Sequence, residues 1–215
     1  MRPHAVLFDC DGVIVDSEST AFDLLAGDFA RLGHAMSRSE METRFIGGTI
    51  HGLWERARGL GVPLPEGWVD DFYERLYARL AEGTALIEGI EAVFDRLDAE
   101  GIPYAVGSNG SDHKMQVTLG QHPAVMARLK GRLFSGQALG RPKPDPALYL
   151  HAAGALGADP LHCVVVEDSP TGARAARAAG MRCLGYAPSG DAARLIAEGA
   201  EPFARMDDLP GLLGL

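Results

Sequence analysis

Four short runs of consecutive apolar residues stand out along the chain, at residues 5–8, 104–107, 163–166 and 183–186. Each run is continuous rather than alternating in polarity, which is typical of strands buried on both faces of a parallel sheet. The runs therefore predict four buried strands of one sheet.

Two helices are predicted between the later strands from their start and stop residues. Asp145 begins the first, directly before a proline, and Gly157 ends it. Ser169 begins the second, again before a proline, and Gly180 ends it. Strands that alternate with helices predict an α/β fold with a doubly wound parallel sheet.

Residues 17–84 have a different pattern, in which apolar residues recur at helical spacing and no strand-like run interrupts them. The first such stretch ends at Gly33, and a later one lies near the end of the segment. Their apolar positions are Phe22, Leu25, Phe29 and Leu32, then Val69, Phe72, Leu76 and Leu80. We therefore predict an all-helical insertion at 17–84, within an α/β core formed by 1–16 and 85–215.

Two further helix starts are predicted inside the insertion. Ser39 and Glu42 have the spacing of a capping box, in which each side chain bonds the backbone N–H of the other. Thr49 can cap a helix whose apolar face begins at Ile50.

Composition and charge disfavour some classes of partner and some cellular locations. The 215 residues are 47% hydrophobic and carry a formal net charge of −9, which disfavours nucleic acid as a partner. The first apolar run is too short for a signal peptide, and no run approaches the roughly 20 apolar residues that span a bilayer. The three cysteines form no CxxC pair, which suits a reducing compartment. We expect a cytoplasmic protein with no membrane partner, and we favour a monomer.

Polar side chains follow three of the predicted strands. Asp9 and Asp11 follow the first, Ser108 and Asn109 the second, and a Glu-Asp pair, 167–168, the third. The carboxyl ends of parallel strands share one edge of a sheet, where ligands bind. Each residue alone is an ordinary turn former, but the same coincidence after three buried strands favours a site. Clustered carboxylates without histidine or cysteine ligands predict a hard cation, Mg²⁺ above all.

Four segments resemble the motifs of the haloacid dehalogenase superfamily, in order and with similar spacing. They are DCDGVIVDSE, SNGS, RPKPDP and VVVEDSPTG, and together they extend over nearly the whole chain. The helical insertion after the first motif is similar to the cap domain of the first cap class of that superfamily. The resemblance implies a doubly wound α/β core with a helical cap, and an enzyme that acts on a small phosphate ester.

The resemblance also implies roles for the residues of the first motif. Asp9 would attack phosphorus as the nucleophile and form an aspartyl-phosphate. A free aspartate is already ionised near neutral pH and needs no base to activate it. Asp11 would protonate the leaving oxygen and then accept a proton from the attacking water. That role requires an acid form, which we expect a neighbouring carboxylate to favour.

The remaining motifs imply the metal and phosphate sites. Mg²⁺ would be held by the Asp9 carboxylate, the Asp11 carbonyl and Asp168, with Glu167 supporting it directly or through water. The phosphate would be bound by Lys143, by the hydroxyl of Ser108 and by the amide of Asn109.

Three other activities of the superfamily fit this sequence less well than phosphate hydrolysis does. Dehalogenases lack the second aspartate, so Asp11 argues for phosphoryl transfer. The phosphonate-cleaving branch needs a cap lysine, but the only lysines are Lys114, Lys130 and Lys143, outside the insertion. β-Phosphoglucomutases, the runner-up, carry a cap lysine and a histidine twelve residues after the nucleophile, where this chain has Ala21. A family member that binds a metabolite without turnover is a further alternative, although no motif residue is missing.

Residues of the motifs and of the helical insertion give indications of the substrate. SNGS followed by HKMQ, LFSG and KPDPAL resemble a sugar-acid phosphatase branch that acts on 6-phosphogluconate. Five residues of the insertion are candidates for reading the substrate: Glu18, Arg44, Gly48, Thr49 and His51. Arg44 could pair with a substrate carboxylate, but an arginine on a helix is more often a solvated residue, and His51 is more often structural.

Overall fold

A computed structural model of the protein describes residues 2–45, 49–190 and 192–215. Six parallel strands form one sheet in the order β3-β2-β1-β4-β5-β6. The strands are β1 Ala5–Phe8, β2 Tyr104–Ser108, β3 Leu133–Ser135, β4 Cys163–Glu167, β5 Arg182–Tyr186 and β6 Glu201–Phe203. The α/β fold with a doubly wound parallel sheet is confirmed, and the four predicted strands form its four central strands.

The two strands that the sequence pattern missed, β3 and β6, are the edges of the sheet. Each has three residues, and only one of the three is buried in either strand. A short strand with one covered face carries no continuous apolar run, so the criterion that found the central strands could not find these two.

Eleven α-helices lie within the described residues. They are α1 Glu18–Arg31, α2 Arg38–Phe45, α3 Ile50–Gly59, α4 Trp68–Glu82, α5 Ile90–Ala99, α6 Asp112–Leu119, α7 Pro123–Arg128, α8 Ala147–Ala155, α9 Pro170–Ala178, α10 Ala193–Ala197 and α11 Leu209–Leu212. Two 3₁₀ turns, Pro160–His162 and Met206–Asp208, complete the described helical elements. No described helix has the length and hydrophobicity that crossing a bilayer requires.

Helices cover both faces of the sheet. On one face Val6 and Phe8 of β1 pack in a core with residues of α5, α6, α7 and α11. On the other face Ala5 and Leu7 of β1 pack with residues of α8 and α9, where alanines let the helices lie close to the sheet. Because alternate side chains of a strand point to opposite faces, both faces of β1 are apolar, and its sequence is a continuous apolar run.

Helices α1 to α4 form a core of their own between β1 and β2. Phe22, Phe29, Phe72 and Leu76 are among its buried residues, and Val117 of α6 packs against it from outside. The predicted helical character of this segment is confirmed, and Gly33 follows α1 with a left-handed φ of 78°.

The domain boundaries at 16/17 and 84/85 stay a prediction. At these positions two antiparallel segments connect the helices to the sheet, joined by Asp16 N–H to Ala85 carbonyl and Ile87 N–H to Ile14 carbonyl hydrogen bonds of 2.9 Å each.

The start of α2 differs from the prediction by two residues. Ser37 and Glu40 form the capping box, with the Ser37 N–H 2.9 Å from Glu40 Oε2 and the Glu40 N–H 3.3 Å from Ser37 Oγ. Ser37 and Ser39 both have a glutamate three residues later, so the spacing alone could not choose between them. Thr49 caps α3 as predicted, since its Oγ1 accepts the Gly52 N–H at 3.1 Å.

A buried carboxylate joins two helices of the helical segment, α1 and α4. Asp28 of α1 is only 3% exposed and accepts the indole N–H of Trp68 at 2.7 Å. Arg75 of α4 donates to both of its oxygens, at 3.0 and 2.8 Å, and Arg31 also pairs with it. These bonds join α1 to α4 and compensate the burial of the charge.

Candidate active site

The predicted acidic residues converge at the carboxyl edge of the sheet. Strand β1 lies between β2 and β4, so the residues that follow these three strands are neighbours in space. Asp9 is buried at the end of β1, and its carboxylate lies within 4.8 Å of oxygens of Glu167 and Asp168. The sheet order therefore brings the first and last motifs together, as the sequence predicts for parallel strands.

Lys143 reaches this carboxylate cluster from the loop that precedes α8. Its Nζ lies 2.5 Å from Asp9 Oδ1 and 2.6 Å from Glu167 Oε1, and the side chain is 3% exposed. Burial opposes the charge of the ammonium, but Asp9 and Glu167 outweigh it and raise the pKa of Lys143 above its ordinary value. Lys143 is therefore a permanent cation at the floor of the site.

Glu167 is fully buried, and both of its oxygens are engaged by the protein. Oε1 accepts hydrogen bonds from Lys143 and from the Tyr149 hydroxyl, which is 2.7 Å away. Oε2 accepts the backbone N–H and the hydroxyl of Ser169, at 3.1 and 2.9 Å. A carboxylate has about four lone-pair positions, so these four contacts fill its accepting capacity and fix the position of Lys143.

Asp11 faces a different cation. Lys114 Nζ lies 2.8 Å from Asp11 Oδ1, and the Ser17 hydroxyl donates to the same oxygen. Burial by itself raises the pKa of Asp11, but Lys114 and these hydrogen bonds outweigh it and bring the pKa below its ordinary value. We expected a neighbouring carboxylate to favour the acid form, and the pairing with Lys114 works in the opposite direction.

Ser108 and Asn109 organise the loop after β2. The buried Ser108 hydroxyl accepts the Gly110 N–H at 2.9 Å and lies 3.5 Å from Asp11 Oδ2. The Asn109 side chain binds the backbone of Lys143, accepting its N–H at 2.7 Å and donating to its carbonyl at 3.1 Å. Asn109 thus ties the second motif to the third, a role of its side chain that the sequence did not indicate.

Two motif glycines are required by close contacts with the acidic residues. Gly12 has a φ of +77°, and a Cβ at this position would lie 1.9 Å from Asp168 Oδ2. A Cβ on Gly172, in the first turn of α9, would lie 1.7 Å from Glu167 Oε1. Both glycines therefore make room for the carboxylates at the end of β4.

The charge of the cluster fits a bound divalent cation. Asp9, Glu167 and Asp168 offer only oxygen ligands, which suit a hard ion. Burial, followed by the negative charges of Glu18, Asp9 and Glu167, raises the pKa of Asp168 well above its ordinary value. Burial also raises the pKa of Asp9 to about 7 against the opposing charge of Lys143. Negative charge thus exceeds what Lys143 balances, and a divalent cation beside Asp9 and Asp168 would relieve the excess.

A family model described as haloacid dehalogenase-like hydrolase matches residues 3–180 of this chain. The chain belongs to that family. A 6-phosphogluconate phosphatase of Escherichia coli strain K12 is 32% identical over 212 residues, which cover 98% of this chain and 95% of the relative. With a phosphatase as a relative over nearly its full length, this haloacid dehalogenase-like hydrolase is a phosphoric monoester hydrolase.

Two solved structures of the same family share the fold over almost their whole length. A conserved haloacid dehalogenase-like protein of Agrobacterium tumefaciens superimposes with a TM-score of 0.88 at 33% identity, covering 98% of this chain and 97% of that chain. A family hydrolase of Deinococcus radiodurans, solved with bound phosphate and sodium, gives a TM-score of 0.83 at 31% identity, covering 99% and 96%.

The acidic cluster of this hydrolase opens into a cavity of about 160 Å³ between the sheet edge and helices α1, α3 and α4. Of the five residues predicted to read the substrate, Glu18 and Thr49 line it, as does Ala21. Arg44 and His51 are not among the described residues that line it, and Gly48 lies outside the described residues. Arg44 is exposed, and His51 is exposed beside Glu55, at 3.5 Å, because both side chains lie on the solvent faces of their helices.

Several residues that build the site of this hydrolase were not predicted from the sequence. Lys114 pairs with Asp11, Tyr149 with Glu167, and Tyr73, Tyr77 and Gln137 line the cavity. Lys114 had one available signal, since it is one of three lysines and lies in the first turn of the helix after SNGS. The tyrosines and the glutamine carry no local signal, because only the packing of distant helices brings them to the site.

Proposed function

We propose that this hydrolase is a Mg²⁺-dependent phosphatase of a small sugar phosphate or sugar-acid phosphate, with Asp9 as the nucleophile. The observation that carries the proposal is the position of Asp9 at the floor of the cavity, between Lys143 and the Asp168 carboxylate. A carboxylate there can attack a phosphorus atom whose oxygens are bound by the cation of Lys143 and by Ser108.

Asp9 and Asp168, together with the Asp11 carbonyl, are the groups we assign to the metal. Bound Mg²⁺ would offset the repulsion between the carboxylates and a dianionic phosphate. Glu167 does not ligate the ion directly in this proposal, because its oxygens already accept hydrogen bonds from Lys143, Tyr149 and Ser169. Of the direct and indirect roles that the sequence left open for Glu167, we therefore propose the indirect one.

Asp11 is the group we assign to proton transfer with the leaving oxygen. It lies two residues beyond the nucleophile and borders the same cavity. Arrival of a dianionic phosphate adds negative charge beside Asp11, which shifts its pKa upward from the low value set by Lys114. Asp11 can then donate a proton to the leaving alcohol and later take one from the water that attacks the aspartyl-phosphate.

The helical segment acts as a cap in this proposal. Helices α1, α3 and α4 cover the cavity, and covering a phosphoryl-transfer site excludes water while the aspartyl-phosphate forms. Glu18 and Thr49 reach the cavity and are suited to binding hydroxyls of the leaving group. The E. coli relative acts on 6-phosphogluconate by its name, which makes a phosphorylated sugar acid the first substrate to test. We also propose a cytoplasmic location, from the free and buried cysteines.

Mutase chemistry is the second candidate. The position at which β-phosphoglucomutases carry a cap histidine is Ala21, which lines the cavity without a titratable group. Residues 17–84, the helical segment, contain no lysine. Hydrolysis is therefore the better assignment.

The proposal is tested with the purified protein and a set of phosphorylated sugars, sugar acids and nucleotides, measuring phosphate release with Mg²⁺. We expect the highest kcat/KM on a phosphorylated sugar or sugar acid, and less than one thousandth of the activity in Asp9→Asn. Full activity in that variant would overturn the role of Asp9. A nucleotide as the best substrate would overturn the substrate class, and conversion of β-glucose 1-phosphate to glucose 6-phosphate would favour the mutase.

A further inference from the structure

Helix α4 of the helical segment contacts α6 of the core through Tyr77. The Tyr77 hydroxyl lies 3.1 Å from the Ser111 hydroxyl, and the Tyr77 ring packs edge-on against His113 with ring centroids 5.1 Å apart. Ser111 directly precedes α6 in the core, and His113 lies in the first turn of that helix. The cap helix therefore contacts the element that directly follows the phosphate-binding loop.

Ser111 has a second partner that links it to the chemistry. It is the N-cap of α6, and its Oγ accepts the backbone N–H of Lys114 at 3.1 Å. The side chain of the same Lys114 pairs with Asp11 at 2.8 Å. One hydroxyl oxygen thus connects Tyr77 of the cap with the residue that holds the acid–base carboxylate.

Packing alone does not require the Tyr77 hydroxyl. The His113 ring and the apolar side chains around α4 already cover the Tyr77 ring, and a phenylalanine would make the same ring contacts. The hydroxyl is used for the bond to Ser111, since a partly buried phenol needs a polar partner.

We propose that Tyr77 is a positioning residue for the reaction, whose contact with Ser111 holds the first turn of α6 so that Lys114 stays on Asp11. The inference rests on the proposed function, because it assigns Tyr77 an effect on proton transfer by Asp11. Its consequence is that the acid–base carboxylate is correctly held only while α4 lies against α6. Covering the site and preparing it for proton transfer are then one event.

The test compares two phosphate esters that differ in their need for a proton. An alkyl phosphate, such as a sugar phosphate, releases a poor leaving group that must be protonated, whereas p-nitrophenyl phosphate releases a stabilised phenolate. In Tyr77→Phe we expect kcat to fall about tenfold on the alkyl ester and less than about twofold on the aryl ester. A purely structural role for Tyr77 would lower both by the same factor, and that result would overturn the inference, as would an unchanged kcat on both.

A double-mutant cycle tests the route through Ser111. Because both variants break the same contact, Tyr77→Phe with Ser111→Ala should lose no more on the alkyl ester than the larger single loss. Losses that multiply would contradict the coupling. Tyr104→Phe is the matched control, since its hydroxyl bonds Asp98 at 3.0 Å at the other end of β2, and we expect wild-type kinetics from it. The proposed function is tested separately by Asp9→Asn, so an active wild type with an unaffected Tyr77→Phe would remove this inference alone.

Discussion

The carboxamide of Asn109 bonds both backbone groups of Lys143, although 34 positions separate the two residues. It accepts the N–H at 2.7 Å and donates to the carbonyl at 3.1 Å. This pairing holds the loop before α8 against the end of β2, and it places the Lys143 ammonium on Asp9. Asn109 thus has a structural function in the site beside the phosphate contact predicted for its amide.

Replacing Asn109 with alanine should weaken both folding and catalysis. Loss of two bonds between partly buried groups should lower the free energy of unfolding by about 2 kcal/mol. Displacement of the Lys143 loop should lower kcat/KM by about a hundredfold, as small misplacements of catalytic groups do. Denaturant unfolding and steady-state kinetics measure the two effects. Gln116→Ala, which removes an exposed amide from α6, is the control and should change stability by less than about 0.5 kcal/mol.

Gly172→Ala should impair the site by displacing Glu167, the second carboxylate that Lys143 contacts. The new methyl group would overlap Glu167 Oε1, at 1.7 Å, and displace the carboxylate that holds Lys143. We expect a loss of about 1–3 kcal/mol in unfolding free energy and a large loss of kcat. Gly154→Ala is the matched control in α8, where a Cβ would meet nothing within 4 Å, and it should stabilise the helix by about 0.5–1 kcal/mol. Wild-type activity in Gly172→Ala would show that Glu167 has room to move.

Asp168→Asn should raise the stability of the metal-free protein and weaken its binding of Mg²⁺. Without metal the variant should unfold at a higher temperature than the wild type, because the substitution removes a carboxylate whose pKa burial and neighbouring acids raise well above its ordinary value. With Mg²⁺ the wild type should gain stability by mass action and the variant should gain much less. Thermal unfolding with and without Mg²⁺ measures both effects independently of turnover. A less stable metal-free variant would contradict the excess of negative charge at this site.

Removal of metal should abolish turnover without unfolding the protein. After treatment with a chelator we expect no phosphate release from either an alkyl or an aryl ester, and recovery on addition of Mg²⁺. Retained secondary structure by circular dichroism is the control, since the sheet and its two apolar cores do not depend on the site. Full activity in the chelated protein would exclude the metal role of Asp9 and Asp168.

The helical segment should be destabilised by loss of its buried carboxylate. Asp28→Ala removes the partner of Trp68, Arg31 and Arg75 and should cost about 3 kcal/mol of unfolding free energy. Asp23→Ala is the control on the same helix, because its side chain is 82% exposed and its pairing with Arg38 is loose, at 3.4 Å, so less than about 1 kcal/mol is expected. Equal effects of the two substitutions would mean that the buried network adds nothing to stability.

The sequence by itself determined the four central strands, the helical character of the insertion and the chemistry that follows each strand. These features are local: a run of apolar residues, a 3.6-residue period, or an aspartate after a strand is visible in a short window. Because the carboxyl ends of parallel strands share one edge of a sheet, the strand assignment was enough to predict that Asp9, Ser108 and Asp168 lie at the same edge. Gly12 and Gly172 were present in the motifs, but their contacts with carboxylates required coordinates.

Only the tertiary structure decided which charges and hydroxyls meet. The pairing of Lys114 with Asp11 and the contact of Tyr77 with Ser111 join positions far apart in sequence. The solvent-facing positions of Arg44 and His51 depend on how α2 and α3 are rotated against α1 and α4. Such pairings are set by the packing of whole helices, and a pattern of spacing contains no information on that rotation. The sequence therefore determined which chemical groups follow the strands, and the packing of the helices decided which other side chains contact them.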